Sequence, residues 1–207
     1  MVEKAEHLRK YANLWRITND FWDSWEDIME MFDRCNNWAP YVSEGCFPDC
    51  DMLPVGHISI RGCEHGLSDR WTRLSKAEQR TMLTLWNIFR SPLMIGCELT
   101  DMDEWTKALL TNEEVLSLLK TSRNAHQAIR QGDMIVWQAE DEEGNVFLAV
   151  FNTTNWSETF AIDFRALDLT GSYKLRDLWA QKELGEIEGK LIVGVDSHDA
   201  KLYKLSK

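Results

Sequence analysis

The sequence predicts two fold classes in one chain, an α/β part followed by an all-β part. Apolar runs and amphipathic helix patterns alternate three times before residue 122, as in strand-helix units arranged around a parallel sheet. Around residues 122–132 the helical spacing stops, and short strand-like runs take over at the intervals of an antiparallel sandwich. A charged turn at 140–145, flanked by two apolar runs, marks a hairpin in that second part. These observations divide the chain into units 1–124 and 125–207, with no internal repeat or low-complexity segment in either.

Residues 1–11 are charged and helix-prone, and 13–18 read as the first strand. Helical spacing follows at Trp25, Ile28, Met29 and Phe32, with Glu26, Asp27 and Glu30 on the wet side. Ser24 and Asp27 fit a capping box, which leaves Asp23 to tighten the turn before it. A connection with Pro40, Gly45 and Pro48 leads to a second strand at 51–57, and Asp49 caps the turn that precedes it. Residues 59–74, with Arg61, His65, Gly66, Asp69 and Arg70, read as a loop over the open end of the sheet, its charges in solvent. Ser75 and Glu78 form a second capping box and open a helix with Met82, Leu85, Trp86 and Phe89 on its apolar side. Ser91 and Pro92 end it. A third strand spans 93–99, and short helices start at 101–105 and 111–114. Beyond the boundary, strands are expected at 134–139, 146–152, 159–164, 173–177, 190–195 and 200–205.

Composition narrows the function classes. Hydrophobic residues make up 44% and charged residues 28%, the proportions of a soluble globular protein. With 23 basic against 34 acidic residues the net charge is -11, which argues against nucleic acid as a partner, since phosphate binding needs clustered Lys and Arg. No apolar run reaches the roughly 20 residues of a membrane span, and the first residues are too charged for a signal peptide, so a cytoplasmic protein is expected. Five cysteines, an odd number, read as reduced thiols rather than a disulfide framework. Cys46, Cys50, Cys63 and His65 lack the spacing of the usual paired-Cys zinc ribbons, and no cofactor or metal is expected. Both Asn-X-Ser/Thr sequons, at Asn152 and Asn155, are taken as chance matches, and His126 and His198 as surface or turn residues.

The stretch from Trp15 to Trp25 carries the chemistry. In a barrel of alternating strands and helices the reacting groups sit on loops after the strands, and Arg16 and Asp20 lie between a strand and a capped helix. Asp20 stands among Trp15, Phe21, Trp22 and Trp25. An apolar wall disfavours the charged carboxylate and suits a proton donor, and flat aromatic faces pack on the C–H faces of sugars. On spacing alone Asp20 also reads as an ordinary helix-start residue. Asp51 reads equally as an acceptor for sugar hydroxyls or as a carboxylate held by backbone N–H groups, and Met52 as core. Ten tryptophans are an excess that suits a protein holding sugars.

Three segments resemble a known family in its own order. Trp15-Arg16, Asp20 and Asp23-Ser24-Trp25 resemble the general acid/base segment of glycoside hydrolase family 27, the α-galactosidase or melibiase family. Pro48-Asp49-Cys50-Asp51-Met52-Leu53 is similar to that family's Asp-Pro-Asp-Met-Leu strand, with Cys50 where many members have proline. The stretch 79–99, with Trp86 and Ser91-Pro92-Leu93-Met94, resembles the last helix and strand, and the second part resembles the β-sandwich that follows the barrel. The resemblance implies the last three strand-helix units of an incomplete (β/α)8 TIM barrel, with a C-terminal antiparallel β-sandwich. It also implies retaining hydrolysis of terminal α-galactosides, Asp20 as general acid/base, and Arg16, Asp51 and Met52 lining the galactose site. The strand with the nucleophilic aspartate belongs to the upstream half, which is then an expected partner for this chain. Sister activities, on α-N-acetylgalactosaminides or β-L-arabinopyranosides, fall within the family, and a non-catalytic carbohydrate-binding module is the competing class.

Overall fold

In the computed structural model, which describes residues 2–65 and 68–207, the first unit is a short parallel sheet backed by helices. Met1 and two residues of the polar 59–74 stretch, Gly66 and Leu67, lie outside the described residues. Helix α1 (Ala5–Tyr11) leads into β1 (Leu14–Arg16) and then α2 (Trp25–Trp38), whose buried face is Ile28, Met31, Phe32, Cys35 and Trp38. Ser24 caps α2 by accepting from Asp27 N at 3.1 Å. The return half of the expected box is not made, because the Asp27 carboxylate accepts from Trp22 N instead.

The second strand differs from expectation. It begins earlier, as β2 (Phe47–Asp49), breaks at Asp51, where φ is 76°, and resumes as β3 (Met52–Leu53). Pro54, which has no N–H to donate, follows directly. Residues His57–Ile58 (β4) turn away to pair antiparallel with Arg70–Trp71 (β5), so the polar stretch folds back on itself. Helix α3 (Lys76–Phe89) opens with both halves of its capping box and closes at Arg90 in the left-handed region. After it come β6 (Met94–Ile95), α4 (Glu104–Leu110), α5 (Glu113–Leu116) and α6 (Leu118–Thr121). β1 pairs parallel with β2, and β3 parallel with β6, so three chain segments lie side by side as successive strands of a parallel sheet.

The second unit has a six-stranded antiparallel sheet. In chain order its strands are β7 (Arg123–Gln131), β8 (Met134–Glu140), β9 (Val146–Asn152), β11 (Ser172–Asp177), β12 (Lys182–Glu188) and β14 (Ala200–Ser206), while β10 (Glu158–Asp163) and β13 (Lys190–Val195) form a separate pair. The large sheet runs β12-β11-β14-β9-β8-β7. β7 and β12 were not expected from the sequence. Both are edge strands with few buried side chains, so neither shows an apolar alternation.

Alternation along β9 explains how the two units join. Val146, Leu148 and Val150 enter the sandwich core, while Phe147, Ala149 and Phe151 enter the core of the α/β unit. Every residue of β9 is therefore buried. Phe151 meets Phe32 edge-on at 5.0 Å, and Trp137 of β8 meets Phe89 of α3 at 6.2 Å. His198, expected as a surface or turn residue, is an interface residue: its ring stacks on Trp25 at 3.9 Å and Nδ1 lies 2.8 Å from Glu78.

Asn152 of the first sequon is fully buried. Its amide donates to the carbonyls of Trp156, Val195 and Asp196, and its Oδ1 accepts from Thr154 N and Oγ1. Asn152→Ala leaves these buried groups without partners, and a loss of about 2–4 kcal/mol in urea unfolding is expected. A loss below about 0.5 kcal/mol, the scatter of ordinary surface changes, would contradict that role.

Candidate active site

The ends of the parallel strands gather the carboxylates. Ile17 N donates to Asp49 O at 2.9 Å, which extends the β1–β2 ladder by one bond, and the chain then leaves the sheet as the 18–24 turn. Arg16, at the end of β1, donates from Nη2 to Asp20 Oδ1 at 2.7 Å and places Nη1 3.6 Å from Asp51 Oδ2. The same Asp51 oxygen accepts from Phe21 N at 2.8 Å. Three of the four sequence-predicted site residues thus form one charged cluster, with Arg16 between two carboxylates.

Asp51 is aimed by its backbone. A left-handed conformation is one that aspartate tolerates better than most residues, and it turns the side chain toward the end of β1. Asp49 Oδ1 steadies this kink by accepting from Asp51 N at 3.0 Å, and Trp86 of α3 donates from its indole to Asp51 O at 3.3 Å. Burial pushes the Asp49 carboxyl above its ordinary value, against the pull of that hydrogen bond. A backbone N–H grips Asp51, as one of its two sequence readings has it, and 18% of its side-chain surface stays open.

Met52, the fourth residue, borders the cluster and lines an adjacent cleft of about 370 Å³ with Trp22, His57, Ile60 and Glu98. Gly96 gives it room. A Cβ there would stand 2.9 Å from Met52 Sδ and 3.1 Å from Leu53 O.

The aromatic wall expected around Asp20 is not built by the residues proposed for it. Trp15 is buried against Trp38, Phe21 against Trp86, and Trp25 stacks on His198. Asp20 itself is 81% exposed. The cause is packing: each of those rings is needed in a core or at the interface between the units. Trp22 alone remains at the surface, 37% exposed.

Asp23 does more than tighten a turn. Its side chain is fully buried and accepts from Arg70 Nη1 at 2.5 Å, Arg70 Nη2 at 2.7 Å and Arg73 N at 2.7 Å. Of the loop charges expected in solvent, Asp69 and Arg70 are likewise engaged, while the side chain of His65 lies outside the described residues. His57 bridges Asp69 and Asp101 and stacks on Trp71, which ties the loop to the segment after β6. Hydrogen bonds that the imidazole donates, first to Asp69 and then to Asp101, raise the His57 pKa above its ordinary value. No sequence signal marks the Asp23 clamp, because its partners lie 47 and 50 residues away. Cys35 and Cys50, both buried thiols, are in contact at 3.5 Å, with Cys50 N donating to Ser91 Oγ. Among the described residues no cluster of His, Cys, Asp or Glu is arranged to hold a metal.

Comparison with known proteins gives the family and the fold. Residues 2–121 match the family model for alpha galactosidase A, and residues 131–205 match that for the alpha galactosidase C-terminal beta sandwich domain. The chain belongs to glycoside hydrolase family 27. Among curated relatives, an alpha-galactosidase of Oryza sativa subsp. japonica is 28% identical over 95% of this chain and 45% of its own length, and alpha-galactosidase 2 of Arabidopsis thaliana is 28% identical over 95% and 47%. A crystal structure of a GH27 β-L-arabinopyranosidase from Geobacillus stearothermophilus superposes with a TM-score of 0.96 at 46% identity, covering 100% of this chain and 48% of that one. A putative alpha-N-acetylgalactosaminidase from Bacillus halodurans superposes at 0.84 with 38% identity, over 92% and 46%. The chain spans about half the length of these relatives. That share accords with a partial TIM barrel followed by the family's sandwich.

The Asp23 clamp has a pH signature in this family member. Burial by itself raises the carboxyl, but the bonds from Arg70 and then Arg73 outweigh it and bring the pKa from 3.8 down to about 2. A depressed carboxylate stabilises the fold above its unfolded value and loses that contribution as pH falls through the folded one. About 2 kcal/mol is therefore present above roughly pH 4 and lost toward pH 2. Asp23→Asn should remove this acid-dependent part of unfolding stability, and an unchanged pH slope in that variant would exclude the clamp.

Proposed function

We propose that this chain is the acid/base half of a retaining glycosidase acting on terminal α-D-galactosides. The observation that carries the reading is the cluster of Arg16, Asp20 and Asp51 at the carboxyl ends of parallel strands, where barrel enzymes place their reacting groups. Asp20 protonates the glycosidic oxygen as a nucleophilic aspartate from the other half of the barrel attacks the anomeric carbon. It then takes a proton from the water that releases the sugar. Retaining enzymes need those two carboxyl groups about 5–5.5 Å apart. Arg16 holds the acid/base at 2.7 Å, and its second arm keeps Asp51 in register with it. Asp51 and Met52 meet the bound sugar, Asp51 by accepting from its hydroxyls. The apolar cover that favours a protonated Asp20 is assigned to the other half, since this chain leaves Asp20 open.

Turnover accordingly requires the remainder of the barrel as a partner. Leu14 at the end strand β1 and Met94 and Ile95 at the opposite strand β6 are 49%, 57% and 48% exposed, apolar positions that the further strands of a closed sheet would cover. A second reading within the family, β-L-arabinopyranoside hydrolysis, is favoured by the 46% identity to the Geobacillus stearothermophilus enzyme across the whole chain. The two glycosides share ring stereochemistry and differ by one hydroxymethyl group.

The test joins this chain to a polypeptide bearing the preceding barrel half of a family member and follows nitrophenol release from aryl α-galactoside and aryl β-L-arabinopyranoside. Activity is expected only from the combination. Asp20→Asn should lower it by about 10²–10⁴-fold, the usual contribution of a general acid, and wild-type turnover in that variant would end the assignment. Arg16→Lys should lower it less, because the planar fork that spans two carboxylates is lost while the charge stays. The ratio of the two aryl substrates decides between the sugars.

A further inference from the structure

We infer that Cys35 and Cys50 are a disulfide-forming pair, a cross-link site at which a low-molecular-weight disulfide such as oxidised glutathione fastens α2 to the broken second strand. Their Sγ atoms lie 3.5 Å apart, and both side chains are fully buried. A disulfide needs about 2.05 Å between the sulfurs, so the gap to be closed is about 1.5 Å. Small turns about the two Cα–Cβ bonds share that movement and keep each side chain near its rotamer. The two residues come from different elements, 15 positions apart. Cys35 is on the buried face of α2, and Cys50 lies between β2 and β3. Of the other thiols, Cys63 is exposed and Cys46 and Cys97 are half-buried.

The strand side of the pair is anchored residue by residue. Cys50 N donates to Ser91 Oγ at 2.9 Å, Asp51 N to Asp49 Oδ1 at 3.0 Å, and the Trp86 indole to Asp51 O at 3.3 Å. The Cys50 sulfur therefore waits at a fixed point, and the cross-link leaves the aim of Asp51 unchanged. Disulfide exchange needs a thiolate. Burial, and after it the hydrogen bond and the charge of Cys50, hold the Cys35 thiol well above its ordinary pKa. The folded pair is thus slow to react at neutral pH, and the bond forms as the chain folds, while the sulfurs still meet water. One cysteine thiolate attacks a sulfur of oxidised glutathione, whose S–S bond breaks and releases one glutathione thiolate. The other cysteine thiolate attacks the protein sulfur of that mixed disulfide, so the Sγ–Sγ bond forms as the second glutathione leaves. The two cysteine protons end on the two glutathiones: two protein thiols are oxidised and one external disulfide is reduced. Closure of the core then shields the bond from reducing thiols.

Refolding the full chain from urea in a buffer of oxidised and reduced glutathione, beside a reference refolded in dithiothreitol, tests the pair. No Lys or Arg lies between Arg34 and Arg61, so trypsin leaves Cys35, Cys46 and Cys50 in one peptide, 35–61. A second cut, after Glu44, separates 35–44 from 45–61 unless a disulfide joins them. With free thiols alkylated first, the expected product is 35–44 joined to 45–61, with Cys46 alkylated. Tm should stand roughly 6–12 °C above that of the reduced chain, the shift expected from closing a loop of 15 residues in a protein of this size. Cys35→Ala and Cys50→Ala should each abolish the difference between the two buffers, and Cys46→Ala should keep it. Each variant is compared with itself, so a general loss of stability does not imitate the result. Alkylation of both Cys35 and Cys50 in the unaltered oxidised chain, a link from Cys35 to Cys46 in place of Cys50, or a Tm unchanged or lowered by the cross-link would overturn the inference.

Discussion

Helix α3 is the constraint on which the rest of the molecule depends. It is buried at Gln79, at Thr81 and at every position from Met82 to Phe89, because it serves two cores at once. Toward the strands, Trp86 packs on Phe21 and donates to Asp51 O, which holds both the 18–24 turn and the kinked strand. Toward the sandwich, Thr81 donates to His198 O, Thr84 accepts from the Trp179 indole, and Arg80 pairs with Asp199 at 2.7 Å. Most polar groups on this helix find partners, Asn87 Oδ1 being an exception, and an unpaired buried group costs roughly 1–3 kcal/mol. The sandwich therefore acts as the outer wall of the α/β unit.

From that frame the candidate site inherits its rigidity unevenly. Asp51 is fixed by the Phe21 N–H, the Asp49 carboxylate and Trp86, all in or next to the core. Among the described residues Asp20 is held by Arg16 alone, and it faces solvent. The asymmetry suits the proposed function, in which another half of the barrel would complete the surroundings of Asp20. On the loop side, Asp23 and His57 each join segments far apart in sequence: the buried Asp23 carboxylate holds Arg70, and His57 bridges the half-exposed Asp69 and Asp101. A buried pair such as Asp23–Arg70 is strongly destabilising to break, because the surviving charge loses its partner.

Local signals in the sequence determined the elements and their class. Capping residues at Ser24 and Ser75, the apolar stripes of α2 and α3, the apolar runs of β8 and β9 and the strand patterns of β11 and β14 are written in consecutive residues, so local reading finds them. The family motifs also single out Arg16, Asp20, Asp51 and Met52 before any coordinates; in the structure Arg16 bonds Asp20 and approaches Asp51, and Met52 follows Asp51 directly. Only the tertiary structure decided which aromatic rings face Asp20, that Asp51 breaks its strand, that the edge strands β7 and β12 exist, and that Asp23 is a buried clamp. Those features depend on contacts between segments tens of residues apart, and on competition for burial among side chains that look alike in sequence. A pattern of neighbours records the preference of a residue for being inside; which inside it enters is settled when the two cores close around α3.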